Sequence, residues 1–172
     1  MTIHNYFEYE IARSLRMMEA RSNTTVILGQ GTIPFVWWRI PDTKLLRFMA
    51  NSESVTANTV PADFLFISQG RCYFIECKSS RSTTSYKLDY IKEHQVNDLL
   101  KIKECGGEAW FLINRRNRGR MECYAATPHL IEEMKKLKVK SVKWELLAKS
   151  TMAMPKVSHP NGTAWDLTPL MK

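Results

Sequence analysis

The chain has 172 residues, of which 44% are hydrophobic and 24% are charged, the balance of one ordinary globular domain. No run of about 18 apolar residues occurs, which excludes a membrane-spanning helix, and the first residues do not resemble a signal peptide. We therefore expect a cytoplasmic protein without a membrane partner. The net charge of +8 favours a polyanionic partner, although many basic proteins are merely soluble. The cysteines and histidines lack the spacing of a zinc site, so we expect reduced thiols packed in a core.

The predicted elements alternate between helices and strands. A helix over residues 4–21 is indicated by Phe7, Ile11 and Leu15, which recur on one helical face. Residues 31–60, with prolines and an aromatic group, predict an irregular excursion with room for a hairpin. The remaining patterns predict a strand over 24–28, strands over 62–68 and 71–78, a helix over 87–105, strands over 108–114 and 120–126, a helix over 128–138 and a strand over 141–147.

This order of elements predicts an α/β fold in which helices flank a mixed β-sheet. We assign residues 1–148 to one domain and residues 149–172 to a C-terminal tail, whose prolines argue against regular structure. Within the tail, the segment A-W-D-L at residues 164–167 is predicted to dock on the body of the protein or on a partner chain.

Two carboxylates and a lysine meet on one face of a predicted hairpin. Gln69 and Gly70 form a plausible two-residue turn, since glycine supplies the positive φ that tight hairpins need. With those two residues as the loop, Asp63 pairs with Glu76 across the hairpin. Cross-strand partners share a face, and so do residues two apart on one strand, which adds Lys78 to the group.

This group of charges predicts a site for phosphodiester hydrolysis. Paired carboxylates repel each other and are stabilised by a cation, and hard oxygen ligands suit Mg²⁺. A metal ion so placed polarises a phosphate and lowers the pKa of a bound water, while a nearby lysine stabilises developing negative charge. Acid-x-lysine triplets are common at ordinary residue frequencies, so a structural ion-pair cluster stays an alternative.

The same residues carry a family resemblance. Asp63, Glu76 and Lys78 resemble the signature of the PD-(D/E)xK nuclease superfamily, with P-A-D in place of P-D. The run E-C-K-S-S-R-S-T-T-S-Y-K-L-D-Y-I-K-E-H-Q, residues 76–95, resembles the corresponding segment of RecU-type Holliday-junction resolvases, and so does G-G-E-A-W-F-L-I, residues 106–113. The resemblance extends to archaeal resolvases and implies a restriction-endonuclease-like core.

The resemblance also implies further site residues. Helical geometry does not decide between Glu8 and Glu10, which both border the apolar face, and the resemblance of F-E-Y-E to the family favours Glu8. Lys78 is implied to position the attacking water, with support from Gln95. One or two Mg²⁺ ions, with Mn²⁺ as a substitute and no organic cofactor, are implied to bind Glu8, Asp63, Glu76 and the Cys77 carbonyl.

Several residues are predicted to contact DNA, and each has a plainer alternative. The predicted DNA contacts are Ser79, Ser80 and Arg81 after the active strand, with Ser82 and Thr83 beyond them, then Arg115, Arg116 and Arg118 at a hairpin tip, and Trp37 and Trp38. For the arginine cluster a solvated turn is equally plausible, and for the tryptophans a core or dimer contact is the more common role. Residues 31–60 occupy the place of the stalk that RecU-type enzymes insert into a junction.

The function implied is a structure-selective DNA endonuclease, a Holliday-junction resolvase that makes paired metal-dependent cuts in four-way junctions. We expect a homodimer, because a two-fold dimer presents two matched sites for two matched cuts. The alternatives are another PD-(D/E)xK nuclease of repair or restriction type, and a DNA-binding protein in which the acids are a structural remnant.

Overall fold

The structure, a computed structural model, describes residues 3–27, 35–40, 61–117 and 119–172. In these ranges the elements, in chain order, are α1 (Ile3–Ile27), β1 (Phe35–Arg39), β2 (Phe64–Ser68), β3 (Arg71–Ser80), β4 (Ser85–Lys87), α2 (Glu93–Glu104), β5 (Glu108–Asn117), β6 (Arg120–Ala126), α3 (Pro128–Lys136), β7 (Ser141–Lys143), α4 (Trp144–Ser150), β8 (Met152–Met154), β9 (Lys156–His159) and β10 (Gly162–Trp165), with 3-10 turns at Leu88–Tyr90 and Thr168–Met171. Within this part of the chain, no helix combines the length and apolar character needed to cross a membrane.

A six-stranded sheet in the order β1-β2-β3-β5-β6-β8 forms the centre of the fold. The neighbours β3 and β5 are parallel and are joined through α2, while the other neighbouring pairs are antiparallel. A parallel pair needs a crossover connection, and a helix on the sheet face is the usual one. The predicted α/β fold with helices flanking a mixed sheet is confirmed.

The hairpin between β2 and β3 has the predicted register. Gln69 and Gly70 have φ values of 52° and 73°, the positive pair that matches the twist of a two-residue hairpin. Phe64 pairs with Ile75, and the Asp63 N–H extends the ladder by donating to the Ile75 carbonyl at 2.9 Å. Asp63 therefore lies at the end of β2, beside the middle of β3.

The sheet has a hydrophobic core on each face. On one face, Phe7, Ile11 and Leu15 of α1 pack against alternate residues of the hairpin such as Phe66 and Ile75. On the other face, α2, α3 and α4 cover residues of opposite parity, in a core whose buried members include Val96, Leu99, Phe111, Ile131 and Leu147. Because strand side chains alternate, Glu76 and Lys78 lie on the α2 face.

Two predicted strands differ from the structure. Residues 24–27 continue α1, because extending an established helix costs little and β-branched residues carry only a modest helix penalty. Of residues 141–147, only the first three form a strand, and α4 begins at Trp144. Trp144 and Leu147 are three apart and both buried, so a helical turn places them together in the core.

The C-terminal tail is ordered on the body of the protein, so the prediction that it lacks regular structure is wrong. Strand β8 pairs with β6 at the sheet edge, and β9 and β10 form a hairpin. Arg13 donates to the Thr163 carbonyl at 2.6 Å, and the Trp165 N–H donates to Ser14 Oγ at 2.8 Å. The segment around Trp165 thus docks on α1. The domain boundary at residue 148 stays a prediction.

Of residues 31–60, the structure describes only 35–40. Strand β1 pairs antiparallel with β2 at the edge of the sheet, with Trp37 opposite Phe66. The predicted stalk and the rest of the excursion lie outside the described residues.

Candidate active site

Asp63 is fixed at the site by backbone hydrogen bonds on both its main chain and its side chain. Its N–H is bonded to Ile75, and its Oδ2 accepts a hydrogen bond from the Cys77 N–H at 2.6 Å. The carboxylate therefore bends across to β3, next to Glu76. The register of the hairpin thus places Asp63 beside Glu76, as the sequence predicted.

Glu76 is buried and is the hub of the site. Its Oε1 accepts hydrogen bonds from Lys78 Nζ at 2.6 Å and from Gln95 Nε2. Gln95 lies in the first turn of α2, where its Oε1 accepts the Lys92 N–H at 3.1 Å. A backbone N–H can pair only with the amide oxygen, so this capping bond turns the amide nitrogen toward Glu76.

The surroundings of Asp63 and Glu76 disfavour the ionised forms of both carboxyl groups. Burial, followed by repulsion from Glu76, raises the pKa of Asp63 to about 7, against the opposing effect of the Cys77 N–H. Burial also raises the pKa of Glu76, although Lys78 opposes this rise. The charge of Glu8 contributes to the rise of the pKa at both acids, so all three carboxylates interact. A bound cation would relieve this repulsion.

Glu8 and Glu10, which sequence geometry did not distinguish, face different surroundings. The side chain of Glu8, on α1, reaches the end of β1, where its Oε2 lies 2.5 Å from Arg39 Nη2. Glu10 is buried, accepts hydrogen bonds from Arg116 Nη2 and, at 3.1 Å, from Trp165 Nε1, and so has a structural role. Glu8 is close enough to Asp63 and Glu76 to contribute to the rise of the pKa at both.

Arg39 was missed by the sequence analysis. Its backbone pairs with Phe64, which places it beside Asp63, and its guanidinium is half exposed. The alternation of side chains along β1 could have identified Arg39. It follows Phe35 and Trp37 at every second position, on the face that packs on the core, and yet it is charged.

The carboxylate oxygens of the site are suitable ligands for Mg²⁺, but they are not arranged around one point as in a preformed metal site. Among the described residues, no three His, Cys, Asp or Glu side chains have the arrangement of a preformed metal site. Each acid has a hydrogen-bond partner in the protein instead. Asp63 accepts from the Cys77 N–H, Glu76 from Lys78 and Gln95, and Glu8 from Arg39. Carboxylate oxygens are the ligands that Mg²⁺ prefers. Burial raises the pKa of the Cys77 thiol well above its usual value, so the sulfur stays protonated and only the backbone carbonyl remains as a donor.

Three of the residues predicted to contact DNA are buried. Ser79 and Ser80 are each 6% exposed, and so is Arg115, which binds Glu122 at 3.1 Å. These positions argue for structural roles and do not suit direct phosphate contacts. The sequence could not reveal this, because two of the groups around Arg115, the Thr83 carbonyl and the Trp144 ring, are distant in the chain.

The other predicted contacts are distributed differently. Arg81 is exposed, and Arg116 is partly buried in its ion pair with Glu10. Trp37 packs on the α1-face core and donates to Glu19 Oε2 at 3.1 Å, the core role kept as its alternative. Trp38 is 48% exposed. Arg118 lies outside the described residues.

Comparison with known proteins agrees with the resemblance seen in the sequence. The family described as Recombination protein U matches residues 6–161. Among solved structures, the chain is similar to Hjc, a Holliday junction resolvase from the archaeal hyperthermophile Archaeoglobus fulgidus, with 12% identity, a TM-score of 0.41, and coverage of 78% of this chain and 94% of that chain. No curated protein matches the chain. The chain belongs to the recombination protein U family, which identifies it as a Holliday-junction resolvase and therefore as an endonuclease.

Proposed function

We propose that the protein makes paired, Mg²⁺-dependent cuts in four-way DNA junctions at a site built from Asp63, Glu76 and Lys78. The observation that carries the proposal is the buried Glu76 carboxylate, which binds Lys78 at 2.6 Å and raises the pKa of Asp63 by repulsion. Acids held together at such a cost are typical of functional sites.

Glu8, Asp63, Glu76 and the Cys77 carbonyl would hold one or two Mg²⁺ ions, with Mn²⁺ as a substitute. Such an ion supplies a polarised phosphate and a bound water of lowered pKa. The mutual repulsion of the three carboxylates supports this ligand set, because a divalent cation would stabilise their charged forms together.

Lys78 and Gln95 act on the reacting groups from the α2 face. The Lys78 ammonium positions the attacking water and stabilises negative charge that develops on the phosphate. Gln95, whose amide is oriented by the Lys92 N–H, holds Glu76 in one rotamer. This positioning role is supported by the two hydrogen bonds that leave the amide no freedom to flip.

We propose a homodimer, because two cuts related by symmetry need two matched sites. The DNA would be recognised by its junction shape and backbone charge, which the net charge of +8 supports. A cytoplasmic location remains our prediction. Light scattering should give twice the chain mass of 20.0 kDa, and a monomer that still makes paired cuts would contradict the dimer.

The test of the function compares three synthetic DNAs under single-turnover conditions. A four-way junction, a duplex and a flap of matched sequence are each incubated with Mg²⁺, Mn²⁺ or EDTA. We expect symmetric nicks in two opposite strands of the junction, with either metal and not in EDTA. Equal cutting of duplex would contradict junction selectivity, and cutting in EDTA would contradict the metal requirement.

A further inference from the structure

The loop of residues 81–84, between β3 and β4, is held to the body of the protein through its carbonyl groups. Four hydrogen bonds reach this anchored loop: Arg115 Nη2 donates to the Thr83 carbonyl (2.6 Å), Asn117 Nδ2 to that of Ser82 (3.2 Å), Trp144 Nε1 to that of Ser82 (3.0 Å) and Trp144 N–H to that of Thr84 (3.2 Å). Three successive carbonyl groups are therefore fixed toward the protein.

Arg115 is buried at a cost that its contacts with the rest of the protein offset only in part. It binds Glu122 at 3.1 Å and lies 5.4 Å from the centre of the Trp144 ring. Its Nε is buried and has no hydrogen-bond partner among the described residues. Burial of a guanidinium is costly unless its N–H groups are paired, so the bond to the Thr83 carbonyl helps to hold Arg115 in place.

The fixed carbonyls determine what the anchored loop presents to solvent. The described residues contain no cis peptide bond, and in a trans peptide the N–H points opposite to the C=O. Since the carbonyls of Ser82 and Thr83 face the protein, the N–H groups of Thr83 and Thr84 face away from it. Outward N–H groups are hydrogen-bond donors that an anion can accept from.

The exposed side chains of the anchored loop, like its outward N–H groups, are hydrogen-bond donors that suit an anion. Arg81, Thr83 and Thr84 are exposed, which adds a guanidinium and two hydroxyl groups to the outward N–H groups. Arg81 is three residues beyond Lys78, so its backbone lies within roughly 10 Å of the site. The phosphate next to one held in the active site is therefore within reach of this surface.

We propose that the anchored loop binds a backbone phosphate next to the scissile one, and that Arg115 is the positioning residue that holds the loop in its binding orientation. The proposal rests on the proposed function and extends it to the DNA-binding surface. Lysine cannot replace this residue, because only the guanidinium fork can bond to Glu122 and to the Thr83 carbonyl while it stacks on Trp144.

The first experiment measures the salt dependence of junction binding in EDTA, where no cutting is expected. Arg81→Ala is compared with Arg71→Ala, which removes the same charge from the exposed start of β3. One lost phosphate contact should weaken binding by about three- to tenfold and reduce the slope of log Kd against log salt by about one. The control should bind as wild type does. Equal slopes for Arg81→Ala and wild type would overturn the loop as a phosphate site.

A double-mutant cycle then tests Arg115 as a positioning residue. In the Arg115→Lys background the loop loses its bond at the Thr83 carbonyl and keeps those from Asn117 and Trp144, so Arg81→Ala should weaken binding by less than about twofold. A merely structural arginine would lower the melting temperature and leave the cost of Arg81→Ala unchanged, and that result would overturn the positioning role. Asn117→Ala, which removes one bond to Ser82, repeats the cycle if Arg115→Lys does not fold.

The two proposals fail in distinguishable ways. A wild-type protein that binds junctions but does not cut them with Mg²⁺ contradicts the proposed function, while the salt slopes still decide the anchored loop. A protein that cuts junctions with unchanged slopes in Arg81→Ala contradicts the anchored loop alone.

Discussion

The Asp63 carboxylate is bound to the backbone N–H of Cys77, at 2.6 Å, rather than to a side-chain cation. This bond ties the end of β2 to the middle of β3 and fixes the acid before any metal arrives. Because the Cys77 N–H only partly offsets burial and the repulsion of Glu76, the pKa of Asp63 stays raised, at about 7. The site therefore stores repulsion that a cation can relieve.

The first prediction concerns the stability of the metal-free protein. The pKa of Asp63 is raised from 3.8 to about 7 in the folded state, so folding favours its protonated form. Its contribution to stability is present below pH 4 and is lost as the pH rises to 7. Asp63→Asn should therefore increase the free energy of unfolding at pH 8 in EDTA by on the order of 4 kcal/mol, and by little at pH 4.

Urea unfolding at both pH values measures this effect, with Asp89→Asn as an exposed control. Mg²⁺ at pH 8 should stabilise wild type and have less effect on Asp63→Asn, because binding to the folded state adds to its stability. A variant that is less stable than wild type at pH 8 would contradict the raised pKa. Asp63→Asn should also abolish cutting while it leaves junction binding intact.

The second prediction compares two lysine ion pairs. Lys78→Ala removes a buried ammonium from Glu76, whereas Lys103→Ala removes a more exposed one from Glu108, at a similar distance of 2.7 Å. We expect Lys78→Ala to slow single-turnover cutting by on the order of 10²–10³-fold at saturating enzyme, with Kd little changed. Lys103→Ala should cut at the wild-type rate. Similar losses in both variants would indicate a general effect on folding.

The third prediction separates the two roles of Gln95. Gln95→Leu loses the capping bond to Lys92 and the donor to Glu76, so we expect a loss of about 1 kcal/mol in stability and about a tenfold slower cut. Thr127→Ala is the matched control, because Thr127 caps α3 through the Leu130 N–H far from the site. It should lose similar stability and keep full activity. Equal activity losses would refute a specific role for Gln95.

The sequence was informative where structure depends on local pairing. The meeting of Asp63 and Glu76 follows from the turn at Gln69 and Gly70, because one register positions every pair in the hairpin. The burial of Arg115 depends instead on Trp144, which lies on another element and far along the chain. Local periodicity contains no information about such a contact.

The same limit applies to the helix acids and to the tail. Glu8 and Glu10 both border the apolar stripe of α1, and contacts with Trp165 and Arg116, which are distant in the chain, make Glu10 a structural residue. The tail forms strands despite its prolines. Pro155 and Pro160 lie between the strands, where a residue needs no backbone N–H for sheet pairing.

The fourth prediction tests whether the tail positions α1 for catalysis. Trp165→Phe keeps a smaller aromatic ring in the core and removes the donor to Glu10, so Arg116 becomes the remaining side-chain partner of that buried acid. We expect a loss of about 1–2 kcal/mol in the free energy of unfolding. Because Glu8 is two residues before Glu10 on the same helix, looser docking should also raise the Mg²⁺ concentration needed for half-maximal cutting.

Trp38→Phe provides the control, since Trp38 is half exposed on β1. It should leave both the unfolding free energy and the Mg²⁺ requirement close to wild type. A Trp165→Phe protein of lower stability with an unchanged Mg²⁺ requirement would show that the tail stabilises the fold without orienting Glu8. A shift in both quantities would show that the docking of the tail on α1 also positions Glu8 for the proposed binding of Mg²⁺.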